Sequence, residues 1–399
     1  MNAPTRIDRT PLLVIDADTH LSEPHDLWTR NAPAAYRDRV PQVKMLDGEP
    51  SWVIDGDKSI GRGASPSCAV RIDGVKPAGL NFLEWSIDDT HLGAHNTAAR
   101  VKLMDELGIH AQIVYPNLLG FGGQKAVGVD PDLRLICTQL YNDAMAEMQA
   151  ESGNRILPMA LLPWWDVNLS VQEAQRCADM GLKGININSD PHTQIDLQGN
   201  PLPDLGKPAW DPLWELCEDL KLPVNFHIGG SEQSMDWYGQ QAWPGLEREL
   251  HAALGGAMLF FNNGRVLANL IFSGLLDRFP KLSFVSVESG IGWIPVLLES
   301  LDYQYREFRT PGSRGLELSP AEYFKRNFYA CFWFESDHIA HSIEAVGVDN
   351  CLFETDFPHP TCLYPSPVER ATENLAALDD VSFRKVMGQN AARLYQIDV

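Results

Sequence analysis

Leu12-Leu13-Val14-Ile15-Asp16-Ala17-Asp18-Thr19-His20 is the stretch on which the reading of the fold turns. Its four apolar residues at 12–15 predict a short buried strand, bounded by residues that disfavour strand interiors. That strand runs directly into ionisable side chains. In an extended chain residues i and i+2 share a face, so Asp18 and His20 project into one space.

Seven further runs of the same kind follow at 111–115, 156–162, 183–187, 223–226, 282–287, 328–334 and 350–353. Most are separated by helix-like stretches, at 98–107, 133–151, 171–180, 212–220, 265–279 and 339–346. Eight strands alternating with helices predict an α/β protein whose parallel sheet closes into a (β/α)₈ barrel. An open doubly wound sheet is the competing architecture, but no G-x-G-x-x-G follows the first strand. The strand count makes residues 1–399 one elaborated barrel, with insertions at about 33–96 after strand one and 229–262 after strand five. The first contains Ser51-Trp-Val-Ile-Asp-Gly56, which reads as a strand entering a turn. Both leave from the C-terminal face, where barrel enzymes carry their chemistry, and are candidate pocket walls. No internal repeat supports a solenoid.

Composition narrows the function classes. The chain has 399 residues, 44% hydrophobic and 21% charged, with a formal charge of −21. Such an acidic balance argues against nucleic acid or an anionic membrane as partner, and leaves a small-molecule substrate. No apolar run reaches the ~18 residues of a membrane span, and the longest, 252–261, contains Gly255 and Gly256. The N-terminal apolar stretch of four residues is too short for a signal-peptide core, so a cytoplasmic protein is expected. The seven cysteines lie at 68, 137, 177, 217, 331, 351 and 362 with no C-x-x-C pair. They suit neither a disulfide framework nor a thiolate zinc site, and are expected to be reduced and buried.

The strand ends carry the chemistry. Strand five ends at His227, strand six at Glu288, and strand eight at Glu354-Thr355-Asp356 before Phe357-Pro358-His359. Each residue alone has a bland explanation, as a cap, a turn or a hydrogen-bonded core histidine. Together at one end of separate strands they have no packing rationale. Asp18 and His20 with an imidazole and a carboxylate from other strands make a four-point N/O set that suits zinc or, with its two carboxylates, manganese or iron.

These residues resemble the amidohydrolase-related branch of the amidohydrolase superfamily, which includes aminocarboxymuconate semialdehyde decarboxylase and other metal-dependent decarboxylases and hydrolases. The resemblance runs from Val14 to about Leu394. It rests on Ile15-Asp-Ala-Asp-Thr-His-Leu-Ser-Glu-Pro24, Asn154-Arg-Ile-Leu-Pro-Met-Ala-Leu-Leu-Pro163, Leu222-Pro-Val-Asn-Phe-His-Ile-Gly229, Arg278-Phe-Pro-Lys-Leu282, Phe353-Glu-Thr-Asp-Phe-Pro358 and Asn390-Ala-Ala-Arg-Leu-Tyr395. It implies a distorted TIM barrel, one catalytic metal, zinc foremost, held by Asp18, His20, His227 and Asp356, and a homo-oligomer, a dimer foremost. The family's first-strand pattern is His-x-His; here Asp18 stands at the first position and His20 at the second. Its strand-six His is replaced by Glu288.

That replacement shapes the expected reaction. An ionised Glu288 beside the metal would repel a substrate carboxylate and would serve a hydrolase as general base. The reading is therefore a hydrolase of an amide, ester, lactone or C–C bond. Asp356, Glu288 and His359 are its catalytic groups, and Trp164, Trp237, Trp293 and His338 its contacts to a cyclic or aromatic substrate. A non-oxidative decarboxylase of an aromatic or unsaturated acid is the alternative, and a catalytically decayed ligand-binding barrel the second.

Overall fold

The computed structural model describes residues 12–61, 63–126, 128–239, 242–310, 312 and 315–399; the part of the signal-peptide reading that concerns residues 1–11 lies outside them. The strands, in chain order, are β1 Ile15–His20, β2 Gln42–Leu46, β3 Glu49–Ile54, β4 Lys58–Ser59, β5 Ala111–Tyr115, β6 Ile156–Pro158, β7 Ala160–Leu161, β8 Ile185–Asn186, β9 Val224–His227, β10 Phe284–Val287, β11 Phe328–Phe332 and β12 Cys351–Phe353. All eight expected runs contain strand, the third divided into β6 and β7 around Met159. The first is displaced: β1 takes in Asp16, Asp18 and His20, where propensity placed the strand at 12–15. Aspartate is a poor strand former in isolation, but here β1 pairs with β5 and every one of its residues is buried.

Pairing is parallel throughout two sheets, β1-β5-β6 and β7-β8-β9-β10-β11-β12. Between β6 and β7, Met159 N–H donates to Val114 at 2.9 Å. After β12 the chain lies beside β1: Asp356 N–H donates to Asp18 at 3.0 Å and His20 N–H to Phe357 at 2.7 Å. Within 33–96, β2, β3 and β4 form an antiparallel meander, with the turn after Ile54 as read from Ser51–Gly56.

Alternation along the strands sorts the core into two clusters. Ile15, Ile113, Tyr115, Leu157, Val285, Val287, Cys331 and Leu352 belong to one, and Val114, Ile156, Val224, Phe226, Phe284, Phe332 and Phe353 to the other. The first is the inner face of the strands and the second the outer face against the helices, as period two requires. Asn225 and His227 alternate with Val224 and Phe226 and so share the inner face. Asn225 Oδ1 accepts the hydroxyls of Tyr115 at 3.0 Å and Tyr395 at 2.7 Å, all three residues being fully buried. Changing Asn225 to Ala should therefore lower stability by at least ~2 kcal/mol, since two buried hydroxyls lose their acceptor. An unchanged denaturant midpoint would contradict this.

The helices that bear on the site are α1 Thr97–Leu107, α2 Pro131–Glu151, α3 Val167–Asp179, α4 Asp211–Leu220, α5 Glu232–Gly239 and α6 Arg248–Phe272. One expectation fails here: the helix placed at 265–279 begins at Arg248, passes through Gly255 and Gly256, and ends at Phe272. Gly255 is required by packing, because a Cβ there would strike the Tyr238 carbonyl of α5. The ~1 kcal/mol cost of a helical glycine is offset by the buried Leu259, Val266, Leu267, Leu270 and Ile271. Among the described residues no helix is long and apolar enough to cross a membrane. All seven cysteines are free and buried.

Candidate metal centre and active site

The inner-face side chains at the ends of β1, β9, β10 and β12 converge. His227 Nε2 lies 3.2 Å from His20 Nε2, 3.2 Å from Glu288 Oε2 and 3.7 Å from Asp18 Oδ1. His20 Nε2 lies 3.6 Å from Asp18 Oδ1, 3.5 Å from Glu288 Oε2 and 3.7 Å from Asp356 Oδ1. Backbone conformation aims two of these groups: Glu288 (φ 54°) and Asp356 (φ 60°) are both left-handed, a strained state for non-glycine residues.

The expected four ligands do not form one set. Asp18, His20 and His227 gather with Glu288, whereas Asp356 groups with His20, Glu288 and His359. Glu288, expected as a base beside the metal, is thus in both groups. The reason is that β9 and β10 are neighbours in register, Val287 opposite His227, so Glu288, the residue after β10, meets the His227 imidazole.

The donor atoms fit a divalent cation. Both Asp18 oxygens, Glu288 Oε2 and Asp356 Oδ1 are buried without a hydrogen-bond partner, which native proteins avoid at a cost of several kcal/mol unless a charge meets them. Separations of 3.2–3.7 Å between donor atoms begin within the range of about 3.0–3.4 Å between ligands sharing a metal at about 2.1 Å and exceed it by a few tenths of an ångström, so a bound ion would draw the donors slightly inward. His227 Nδ1 donates to the Ile228 carbonyl at 2.8 Å, so Nε2 is the ring nitrogen that faces the cluster. The electrostatics agree. Burial pushes Asp18 up to about 7 and Asp356 up to about 6, and Glu354 well above the carboxyl range. Burial also acts to raise Glu288, but the His20 and His227 imidazoles beside it hold it well below the usual range. Four carboxyls compete for too little positive charge, a deficit that a divalent ion would meet.

His359 stands beside this group. Its Nδ1 is 2.8 Å from Asp356 Oδ1, its Nε2 is 2.8 Å from Asn117 Oδ1, and its ring stacks on His20 at 3.7 Å. Asn117 accepts the Nε2–H, so Nδ1 exchanges a proton with Asp356. Thr361 donates to the second Asp356 oxygen at 2.7 Å.

The expected substrate contacts fare differently. Trp164 is buried with Trp165 and Leu202, donating to the Gly123 carbonyl at 3.1 Å. Trp293 donates to the Ser289 carbonyl at 2.8 Å and packs on Gly264. Trp237 is half-buried on α5 with its indole N–H toward Asn262. His338 is exposed before the helix Ile339–Val346, and among the described residues no hydrogen bond or ion pair joins it to the cluster. Its position in the loop after β11 faces solvent, which sequence spacing could not distinguish from the cavity.

Other residues escaped the sequence reading. Asp16 accepts Thr355 N–H at 2.8 Å, Thr355 Oγ1 at 2.7 Å and Gln112 Nε2 at 2.9 Å, tying β1 to the residue before Asp356. Arg100 on α1 donates to Gln112 Oε1 at 2.6 Å and to the His20 carbonyl at 3.3 Å. Glu354 accepts the Glu288 N–H at 3.2 Å from beneath the site. Glu335 accepts Ile291 N–H at 2.6 Å, bracing the turn that follows Glu288. A buried acid in the D-x-D phrase and in Glu354-Thr-Asp356 was the available signal, but partners far apart in sequence were needed to assign it.

The amidohydrolase family profile matches residues 15–397. The gamma-resorcylate decarboxylase of Rhizobium sp. (strain MTP-10005) is 29% identical over 306 residues, 75% of this chain and 86% of that one. Among solved structures, an amidohydrolase from Mycobacterium avium subsp. paratuberculosis K-10 has TM-score 0.75 at 24% identity, covering 98% of this chain and 99% of that one. A dihydroxybenzoic acid decarboxylase from Polaromonas sp. JS666, with bound manganese and the inhibitor 2-nitroresorcinol, has TM-score 0.63 at 18% identity over 97% of each chain. With a profile match over nearly its whole length, this chain belongs to the amidohydrolase family.

Proposed function

We propose that the protein is a metal-dependent, non-oxidative decarboxylase of an aromatic acid, and that its two parallel sheets form one closed barrel around the site. The observation that carries the reading is Asp356, a buried carboxyl pushed up to about 6, in a cluster of metal-binding donors and in contact with an imidazole. A carboxyl of that kind, with a protonatable imidazole 2.8 Å away, can pass a proton to carbon. The similarity to a gamma-resorcylate decarboxylase supports the same reaction.

The hydrolase reading rested on repulsion between Glu288 and a substrate carboxylate. A divalent ion held beside Glu288 would offset that charge, so the objection loses its force. Manganese replaces zinc as the favoured ion, because two of the four donor residues are carboxylates and the Polaromonas neighbour holds manganese.

A divalent ion held by Asp18, His20, His227 and Glu288 would supply positive charge that binds the acid's carboxylate and an adjacent ring oxygen. Asp356 then transfers its proton to the ring carbon bearing the carboxylate. The carbon–carboxylate bond breaks, its electron pair returns to the ring, and carbon dioxide leaves. His359 restores the proton to Asp356 through the 2.8 Å contact, with Asn117 holding the imidazole in orientation.

Two measurements test this. Chelation should abolish carbon dioxide release from a dihydroxybenzoate and added manganese should restore it; full turnover after chelation would contradict the proposal. Glu288→Gln should weaken metal affinity by about 10–100-fold, read as metal retained against a competing chelator. Unchanged retention would return Glu288 to a role away from the metal.

A further inference from the structure

The segment between β5 and α2 crosses the metal centre and is held there from several sides. Glu23 Oε1 accepts the N–H groups of Asn117 and Leu118 at 2.8 and 2.9 Å, and Asn117 Nδ2 donates to the Leu21 carbonyl at 2.7 Å. The Asn186 amide, on β8, donates to the Phe121 carbonyl. Gln124 Nε2 donates to the Gly229 carbonyl at 2.7 Å, and its Oε1 accepts Gly122 N–H at 2.9 Å. Gly122 passes so close to the Gly230 carbonyl that any Cβ would collide with backbone.

This bracing fixes one aromatic ring. Phe121 lies with its centroid 4.3 Å from that of His227, 5.1 Å from His20 and 6.0 Å from His359. The side chains of Asp18, His20, His227 and Asp356 are wholly buried, and only Glu288 and His359 retain 10% exposure. On the same segment, Gln124 and Lys125 line an open cavity of about 460 Å³ with Ser59, Gln194 and Glu232.

We infer that Phe121 is the specificity-determining residue that limits the size of the aromatic acid admitted to the metal centre. A planar acid reaching the imidazoles lies against this ring, since five hydrogen bonds hold the backbone that carries it over them. Aromatic stacking gives a one-ring acid a favourable surface, and the same ring excludes a second fused ring by contact. The inference rests on the decarboxylase reading for the class of substrate, but the occlusion itself does not depend on which reaction follows.

The experiment compares manganese-loaded wild type, Phe121→Leu and Phe121→Ala in binding a dihydroxybenzoate and a hydroxynaphthoate by calorimetry, and in turning them over. Phe121→Ala should shift the ratio of affinities toward the two-ring acid by about tenfold or more, with Phe121→Leu between the two, as changes in pocket volume of this size do. In metal-free protein, the same variants should speed carbethoxylation of the cluster imidazoles by diethyl pyrocarbonate in the same order. An affinity ratio unchanged in both variants overturns the inference, and so does imidazole reactivity that does not rise. If no aromatic acid is turned over while the affinity ratio shifts as stated, the decarboxylase reading fails and the size limit stands.

Discussion

Changing His227 to Ala is expected to leave the protein without its divalent ion and to lower turnover by at least ~10³-fold, about 4 kcal/mol in the barrier. The size of the effect follows from where His227 sits. Its Nε2 faces His20, Glu288 and Asp18 within 3.7 Å, and its Nδ1 is committed to the Ile228 carbonyl, so no other side chain of β9 can replace the lone pair. Elemental analysis after purification without chelator reads the metal, and carbon dioxide release reads the rate. A folded variant that retains a full equivalent of metal would show that the ion is held elsewhere.

The second large effect separates holding the metal from moving the proton. Asp356→Asn keeps the shape of the side chain, its contact with Thr361 and the group formed by Asp18, His20, His227 and Glu288. It removes the transferable proton. Turnover should fall by about 10²–10⁴-fold, the usual contribution of a general acid, while metal content stays near that of the wild type. Loss of metal along with activity would assign Asp356 to the ligand set, as the sequence reading had it. Activity within a few-fold of wild type would leave another group as the proton donor.

Much of this arrangement is visible in sequence because the alternation of the strands is strict. Asn225 and His227 fall on the same face as Val285, Val287 and Leu352, so the run that buries Phe226 outward necessarily turns His227 inward. The same logic located β5, where expected and observed bounds coincide. It misplaced β1, since the aspartates that weaken a strand by propensity are stabilised there by Thr355, Gln112 and the cluster itself.

What local pattern could not supply was proximity. Whether Glu288 repels a substrate or joins a metal-binding group depends on His20 of β1 and His227 of β9, both far away in sequence, and that is why the hydrolase preference gave way. His338 looked equivalent to His359 in sequence. One faces solvent and the other is stacked on His20. Phe121 carried no signal at all, because its place over the imidazoles is set by Glu23, Asn186 and Gln124 on three separate segments.

The claim that the centre breaks a carbon–carboxylate bond and protonates the ring is tested most directly in deuterated water with a carboxyl-labelled dihydroxybenzoate and manganese-loaded protein. The account predicts labelled carbon dioxide in step with a dihydroxybenzene carrying a single deuterium at the carbon that bore the carboxylate. Opening of esters or lactones by the same preparation, with no labelled carbon dioxide from any aromatic acid, would contradict it.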